Sequence, residues 1–517
     1  MPDVVATPAD AQNTIAGAAP GDRITLRAGV YGKLRLRSLR GTPAQPIIVR
    51  GEPGAVLEGG LRFEDFNPRA MDFILPRWDA DQDKPAEERN YPGLHSWLDP
   101  AQKLPGVSDE ERQAQLTIEG CAHVRVEMLS IRGSWPAAIA IADSPHVTLS
   151  GLMIEEGTYA IHARGAATRS LLVDGCSWIQ DVSRTRLWRD TAWVRMHDDE
   201  VNPADARAFD GDFLQGIDLG PGLVVRHCRV EHAFNGVHLW NSGGRADLAC
   251  DVRIHDNWFS HIRDNIVEPE VMAWRWWVYR NRIENCHKWF SFEVKKGGGF
   301  FYIFGNLGWY DSIPGSADDA NRGGGVLKLL KDIKPGVDHG PWYMFHNSWR
   351  LRSTYARTGR IAHLVHANNA ISYSPPAGVD LDPALLHRPF FGLLGYSHAR
   401  ADYQERERFT TAWRELDIEF GGDLIRHHEV PHALHAAGYP SDLCRVQGDE
   451  PFVAPRVGEA GLLPAAPCKG SAVALAVTLP DGRRLTRAAG ADVGAFQGAG
   501  LLAWPELEAA AESAAEA

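Results

Sequence analysis

Residues 252–259 (VRIHDNWF), 276–283 (WWVYRNRI) and 300–307 (FFYIFGNL) are three copies of one short pattern. In each, β-branched and aromatic residues lead into an asparagine, and Asn257, Asn281 and Asn306 follow one another at 24 and 25 residues. The pattern extends to PWYMFHNSW from Pro341, with Asn347 in the same slot, and back to LVVRHCRV from Leu223 and LLVDGCSWI from Leu171, where Cys228 and Cys176 take the place of Asn. A period in the twenties, built on strand-forming residues and lacking helical periodicity or a leucine-rich signature, reads as the coils of a parallel β-helix. The recurring Asn has a physical reason. It tolerates the left-handed backbone of a tight turn, and its amide can bond to the Asn of the coil above and below. Plain turn residues without such a ladder are the alternative, and the coils stand in either case.

The chain has 517 residues, which would suggest two or three globular domains, but a solenoid grows by adding coils, so a single long domain is expected. A net charge of -12 provides no basic footprint for nucleic acid. No segment reaches the ~18 apolar residues of a membrane span. Pro2-Asp3-Val4-Val5 lacks the basic and apolar regions of a secretory signal. Either the protein acts inside the cell, or the chain begins after a removed signal and the protein is secreted or periplasmic. The cysteines number seven without paired short spacings, so Cys176, Cys228, Cys250 and Cys286 are expected as small core residues. Oligomeric state is not legible.

The opening segment, residues 14–60, contains PGDRITLRAGVY and GTPAQPIIVR. It resembles the start of the right-handed parallel β-helix (pectin-lyase-like) carbohydrate-active enzymes, which include glycoside hydrolases and polysaccharide lyases. The closing GADVGAFQ at 490–497, preceded by GLLPAAPCKGSA, is similar to the way these helices finish. The expected fold is therefore all-β. It has an N-terminal cap and first coils over 1–60, an inserted loop region over 61–115, and a β-helix core over 116–375. C-terminal coils and an extension follow over 376–500, with a tail at 501–517 expected to be frayed.

A second strand follows each Asn-type turn: AIHA from Ala160, GIDL from Gly216, GVHLW from Gly236, IVEPE from Ile266, FSFEVK from Phe290 and VLKLL from Val326. Alternate strand residues face opposite sides. Placing Ile161, Ile217, Val237, Val267, Phe290 and Leu327 inward puts His162, Asp218, His238, Glu268, Ser291 and Lys328 in one outward column. Trp240, Glu270 and Glu293 form a second column, with Lys295 beyond. Like charges stacked at ~4.8 Å repel, so a merely solvated face would favour Thr, Ser and Asn. That density of His, carboxylate and Lys points to a cleft. The stretch DNIVEPE (264–270) resembles the DD-x-IEPE segment of β-helix glycosidase and lyase relatives, with Asn265 in place of its second Asp. Asp210 and Asp212 of RAFDGDF are expected at the cleft edge, or as turn residues.

Two carboxylates flanking a glycosidic bond suffice for hydrolysis, one as acid and one as base or nucleophile. Glu268, Glu270, Asp218 and His238 are the catalytic candidates. Trp240, Glu293, Lys295, Lys328, His162, Asp210, Asp212 and Trp289 are the candidates for holding a poly- or oligosaccharide. Trp274 and Trp309 also flank the columns, whereas Trp276 and Trp277 are expected to pack in their strand. No cofactor is required for hydrolysis. The rival chemistry is β-elimination from a uronic-acid polymer with Lys295, Lys328 or His238 as base. There Glu268, Glu270 and Glu293 would be oxygen ligands for Ca²⁺. The stretch from Phe290 faintly resembles a strand of alginate and chondroitin lyases. A non-catalytic glycan-binding solenoid is the third reading. HDDE at 197–200 is metal-like in composition, but consecutive acids on an extended segment cannot converge on one ion.

Overall fold

A computed structural model describes residues 3–81, 83–85, 98, 113–197, 206–310, 325–329, 337, 339–351, 355, 361–373, 417–426, 445–447, 452–454, 459–462, 469–497 and 500–516. Two compact units divide the chain, one of residues 1–220 and 227–239, the other of residues 221–226, 240–313 and 320–517. Each is built of the same three parallel sheets, and the architecture is the right-handed parallel β-helix.

In the first unit, the first sheet runs through Asp3–Ala6, Arg23–Leu26, Ile47–Gly51, Val124–Glu127, Val147–Ser150 and Leu172–Asp174. The second sheet stacks Leu34–Arg37, Leu116–Glu119, Ala137–Ala142, Tyr159–Arg164 and Asp212–Ile217. Leu34, Leu36, Leu116, Ile118, Ile139, Ile141 and Ile161 are buried, as strict alternation requires. A six-residue helix, Ala11–Ala16, follows the first strand and buries Ala11 and Ile15. The inserted region opens with a helix, Phe63–Asp81, that buries Phe66, Ala70 and Ile74 at four-residue intervals and packs on the short Arg207–Phe209 turn. Most of 86–112 lies outside the described residues, as do Asp198 to Glu200 of the HDDE stretch.

In the second unit each coil visits the first sheet, then the third, then the second. Cys250–His255, Trp258–Ser260 and Asn265–Glu270 make one such coil. The corner between first and third sheets carries the expected ladder. Asn257 Nδ2 donates to Asn281 Oδ1 at 3.0 Å, Asn281 to Asn306 at 3.0 Å, and Asn306 to Asn347 at 3.0 Å. It continues beyond the four residues read from the sequence, through Asn369 (2.9 Å) to Asp423 (3.0 Å). Each of these oxygens also accepts the backbone N–H of the preceding ladder residue. One expectation is corrected. The left-handed residue is the one before each ladder Asn: Asp256, Arg280, Gly305 and His346 have φ of 56, 52, 63 and 51°. Asn therefore recurs for its amide alone.

Cys176 and Cys228 occupy the same slot in the first unit, with thiols 3.6 Å from the carbonyls of Leu149 and Val173. All five described cysteines are buried and free, as small core residues should be.

The tail is not frayed. Pro505–Glu516 is a helix whose Leu507 and Ala511, with Leu475, Val477, Leu502 and Trp504, cover two ring stacks on the outside of the first sheet. One stack is Trp277–Tyr302–Tyr343 with centroids 5.4 and 5.3 Å apart; the other is Tyr279–Phe304–Phe345 at 4.9 and 5.1 Å. These aromatics supply the partner face that the tail needs, which is why it is ordered. The closing segment packs Val493 against Leu307, Trp309, Ala370 and Leu424.

Candidate active site

The second sheet of the second unit consists of Asn265–Glu270, Lys288–Phe292 and Gly325–Leu329. Val267 pairs in register with Phe290, and Phe290 with Leu327, all three fully buried. Ser291 pairs with Lys328, so Glu268, Ser291 and Lys328 share the opposite face, as the sequence columns expect. Glu270 is bridged to Glu293, which makes the second column.

The side chains converge. Lys328 Nζ lies 3.2 Å from Glu293 Oε1 and 3.6 Å from Glu268 Oε1. Lys328 and Glu268 start two strands apart, ~9.6 Å by strand spacing, and the small Ser291 between them leaves Lys328 room to reach. The Ser291 hydroxyl is buried and has no hydrogen-bond partner among the described residues. Asn265, which stands where the DD-x-IEPE pattern has its second Asp, donates its amide to Glu268 Oε1 at 3.0 Å. Lys295 Nζ sits 3.7 Å from the other oxygen of Glu293. Burial opposes a charge on Lys328, but Glu268, Asp264 and Glu293 outweigh it and hold the ammonium well above the ordinary lysine value. Glu270 has no cation partner among the described residues.

At the start of the same strands, His287 Nδ1 lies 3.8 Å from Asp264 Oδ1. Burial drives this imidazole toward its neutral form against the pull of Asp264. Asp264, Asn265, His287 and the buried Lys288 were missed as site residues. The available signal was polar residues opening otherwise apolar strands, as in KWFSF. Among the described residues no group of three His, Cys, Asp or Glu is placed to hold a metal ion. The space between Glu268 and Glu293, where Ca²⁺ would go, is taken by the Lys328 ammonium, so the arrangement does not fit that cation.

In the first unit, the second sheet also carries a polar group of side chains. Ile161 pairs with Leu214 and His162 with Gln215, three residues away from the register that the sequence suggested. The motif GIDL misled: Ile217 pairs with Arg164 at the strand end, and Asp218 falls in the turn beyond, at φ 54°. Asp218 is therefore outside the column, and Gln215 stands in it. His162 is buried, its ring 5.8 Å from that of Tyr159. Asp212 is buried rather than on a loop, 3.5 Å from His238 Nδ1. Asp210 ends the Arg207–Phe209 turn and pairs with Arg207 at 3.1 Å. Burial raises the Tyr159 phenol far above its usual value, and Asp212 and Asp210 add to this.

The aromatic candidates separate. Trp289 is in the core, its ring 5.1 Å from Trp349 and its Nε1 donating to Cys286 O, so it is no sugar platform. Trp309 is buried as well, and Trp276 and Trp277 pack as expected. Trp240 and Trp274 are partly open. A cavity of about 580 Å³ in the first unit is lined by Gln12, Lys33, Arg35, Arg37, Glu58 and Gln115, and no sequence-predicted site residue borders it.

No known family profile matches the chain, and no curated protein does. Solved structures similar to it include XylC in complex with xylose (11% identity, 96% of this chain and 98% of the other, TM-score 0.43). Pectate lyase Pel9A is another (10%, 94% and 90%, TM-score 0.40). A third is the PL6-family polysaccharide lyase of Pseudopedobacter saltans (10%, 89% and 100%, TM-score 0.40). No helix among the described residues is long and apolar enough to cross a membrane.

Proposed function

We propose that the protein is a carbohydrate-active enzyme that hydrolyses glycosidic bonds of a poly- or oligosaccharide, with Glu270 as general acid and Glu293 as nucleophile. The observation that carries this reading is the Lys328 ammonium set between Glu268 and Glu293, with Glu293 bridged to Glu270 on the next strand. Lys328 and Lys295 place positive charge beside the two oxygens of Glu293, at 3.2 and 3.7 Å, and orient the carboxylate that would attack. Glu270, with no cation partner among the described residues, is the second carboxyl of the pair and is assigned the leaving oxygen. Strand neighbours ~4.8 Å apart match the ~5 to 5.5 Å carboxyl separation of retaining glycosidases better than the wider inverting gap.

The steps balance. Glu293 attacks the anomeric carbon as Glu270 protonates the departing oxygen. Glu270 then takes a proton from water, whose oxygen displaces Glu293, restoring both groups. Glu268, buried and oriented by Asn265, anchors Lys328 rather than touching sugar.

Elimination from a uronic-acid polymer is the second reading, favoured by the two ammonium groups around Glu293, which could meet a substrate carboxylate. It has a difficulty: Lys328, held strongly protonated, makes a poor base. Assaying a panel of neutral and uronic-acid polysaccharides for new reducing ends and for ultraviolet-absorbing product decides between them. Reducing ends without absorbance are expected. Absorbing product from the unmodified protein overturns hydrolysis.

A further inference from the structure

The asparagine ladder ends on an aspartate, and that change has a use. Asp423 Oδ1 accepts from Asn369 N and Nδ2, as any ladder Asn would, at 2.7 and 3.0 Å. Its second oxygen, which an Asn would lack, lies 2.8 Å from His366 Nδ1. His366 Nε2 in turn lies 2.7 Å from the Tyr355 hydroxyl. All three side chains are fully buried. Because a carboxylate only accepts, Nδ1 carries the proton, Nε2 is the acceptor, and Tyr355 donates.

Tyr355 is also where the relay meets the site. Its backbone carbonyl accepts the N–H of Val326 at 3.0 Å and of Leu327 at 2.8 Å, the two residues before Lys328. Among the described residues, Gly325–Leu329 is the last strand of its sheet and pairs with Lys288–Phe292 alone. An edge strand held from one side opens easily. Lys328 must nevertheless stay within reach of two carboxylates on two different strands.

We propose that Asp423, His366 and Tyr355 form a positioning relay that clamps this edge strand and so fixes the Lys328 ammonium between Glu268 and Glu293. The proposal rests on the reading that Lys328 serves the reaction. The relay residues touch no substrate; they act through the Tyr355 carbonyl.

The test compares Tyr355→Phe, Asp423→Asn and Lys328→Met. Tyr355→Phe keeps the ring and the carbonyl but loses the donor to His366. Asp423→Asn keeps the ladder acceptor but presents an amide N–H to His366, forcing the other tautomer. Hydrogen exchange of the segment 325–329 should quicken in both relay variants, while exchange at the ladder strands stays as in the unmodified protein. On whichever polysaccharide of the panel is cleaved, kcat should fall about tenfold with KM little changed, as a small misplacement of a working group produces. Adding Tyr355→Phe to Lys328→Met should cost nothing further. Unchanged exchange at 325–329 in both variants overturns the relay. Lys328→Met with full activity instead overturns the role of Lys328, and the exchange data still judge the clamp. A Tyr355→Phe loss that adds fully to that of Lys328→Met shows Tyr355 acting elsewhere and also overturns the proposal.

Discussion

Two sides of the same coils behave differently. The corner from Asn257 to Asp423 places one kind of side chain in coil after coil, each satisfying the next. On the outer face of the second sheet nothing repeats: Glu268, Ser291 and Lys328 follow one another in register, with Glu270 beside Glu293. A repeated residue answers a need that every coil has, which is to pair buried backbone and amide groups. An unrepeated set of charges answers no such need. Damage to the ladder from Asn257 to Asn369 should cost stability and spare chemistry, and damage to the charged face should do the reverse; Asp423, whose second oxygen meets His366, belongs to both.

The largest expected effect is on turnover. Glu270→Gln and Glu293→Gln should each lower kcat by ~10² to 10⁴ with the melting temperature nearly unchanged. A matched loss of melting temperature would make these acids part of the scaffold. Next comes the ladder. Asn306→Ala strips the Asn281 side chain and backbone N–H of their shared acceptor and Asn347 of its side-chain donor, leaving the backbone N–H of residue 306, at roughly 3 kcal/mol by denaturant titration, with normal activity per folded molecule. A cost under ~1 kcal/mol would mean that the coils do not depend on the ladder.

A comparable effect is expected from pH. Burial holds the His346 imidazole down to about 4, against about 6.5 in the unfolded chain. Its native form is neutral, so the unfolded state binds the extra proton first, and stability falls as pH drops from about 6.5 to 4 by up to about 3 kcal/mol. His346→Gln should flatten that part of the stability profile; an unchanged slope would assign it to other groups. Smaller still is Gly308→Ala, whose methyl would meet the Trp289 ring at 2.5 Å; overpacking of this kind costs about 2 kcal/mol. The smallest is Asp218→Asn, within about 0.5 kcal/mol and without loss of turnover, because Asp218 lies in a turn. A large kinetic loss there would return it to the site.

The repeat made the fold legible, since a period near 24 with Asn in one slot admits few architectures. The same logic found the Glu268, Ser291 and Lys328 column, where IVEPE, FSFEVK and VLKLL share an apolar anchor. It failed at GIDL, where an apolar-polar alternation of the right form sits three residues past its true register, and strand sequence alone does not count the residues in the preceding turn. It failed again at Trp289, because a tryptophan next to a polar column can point to either side of a strand. The ladder's last member, Asp423, was hidden by the 54-residue interval before it and by the change of residue, whereas Asn369, 22 residues after Asn347, lay within reach of the repeat. The C-terminal helix was hidden because its partner is a surface made of aromatics from three separate strands.

The most direct test of hydrolysis by Glu270 and Glu293 is to run the cleavage in heavy-oxygen water and read the first-formed products by mass spectrometry and proton NMR. The account predicts one solvent oxygen at each new anomeric carbon, retained configuration and no double bond, with all of this lost in Glu293→Gln. Unsaturated product without solvent oxygen, formed equally well by Glu293→Gln, would contradict it.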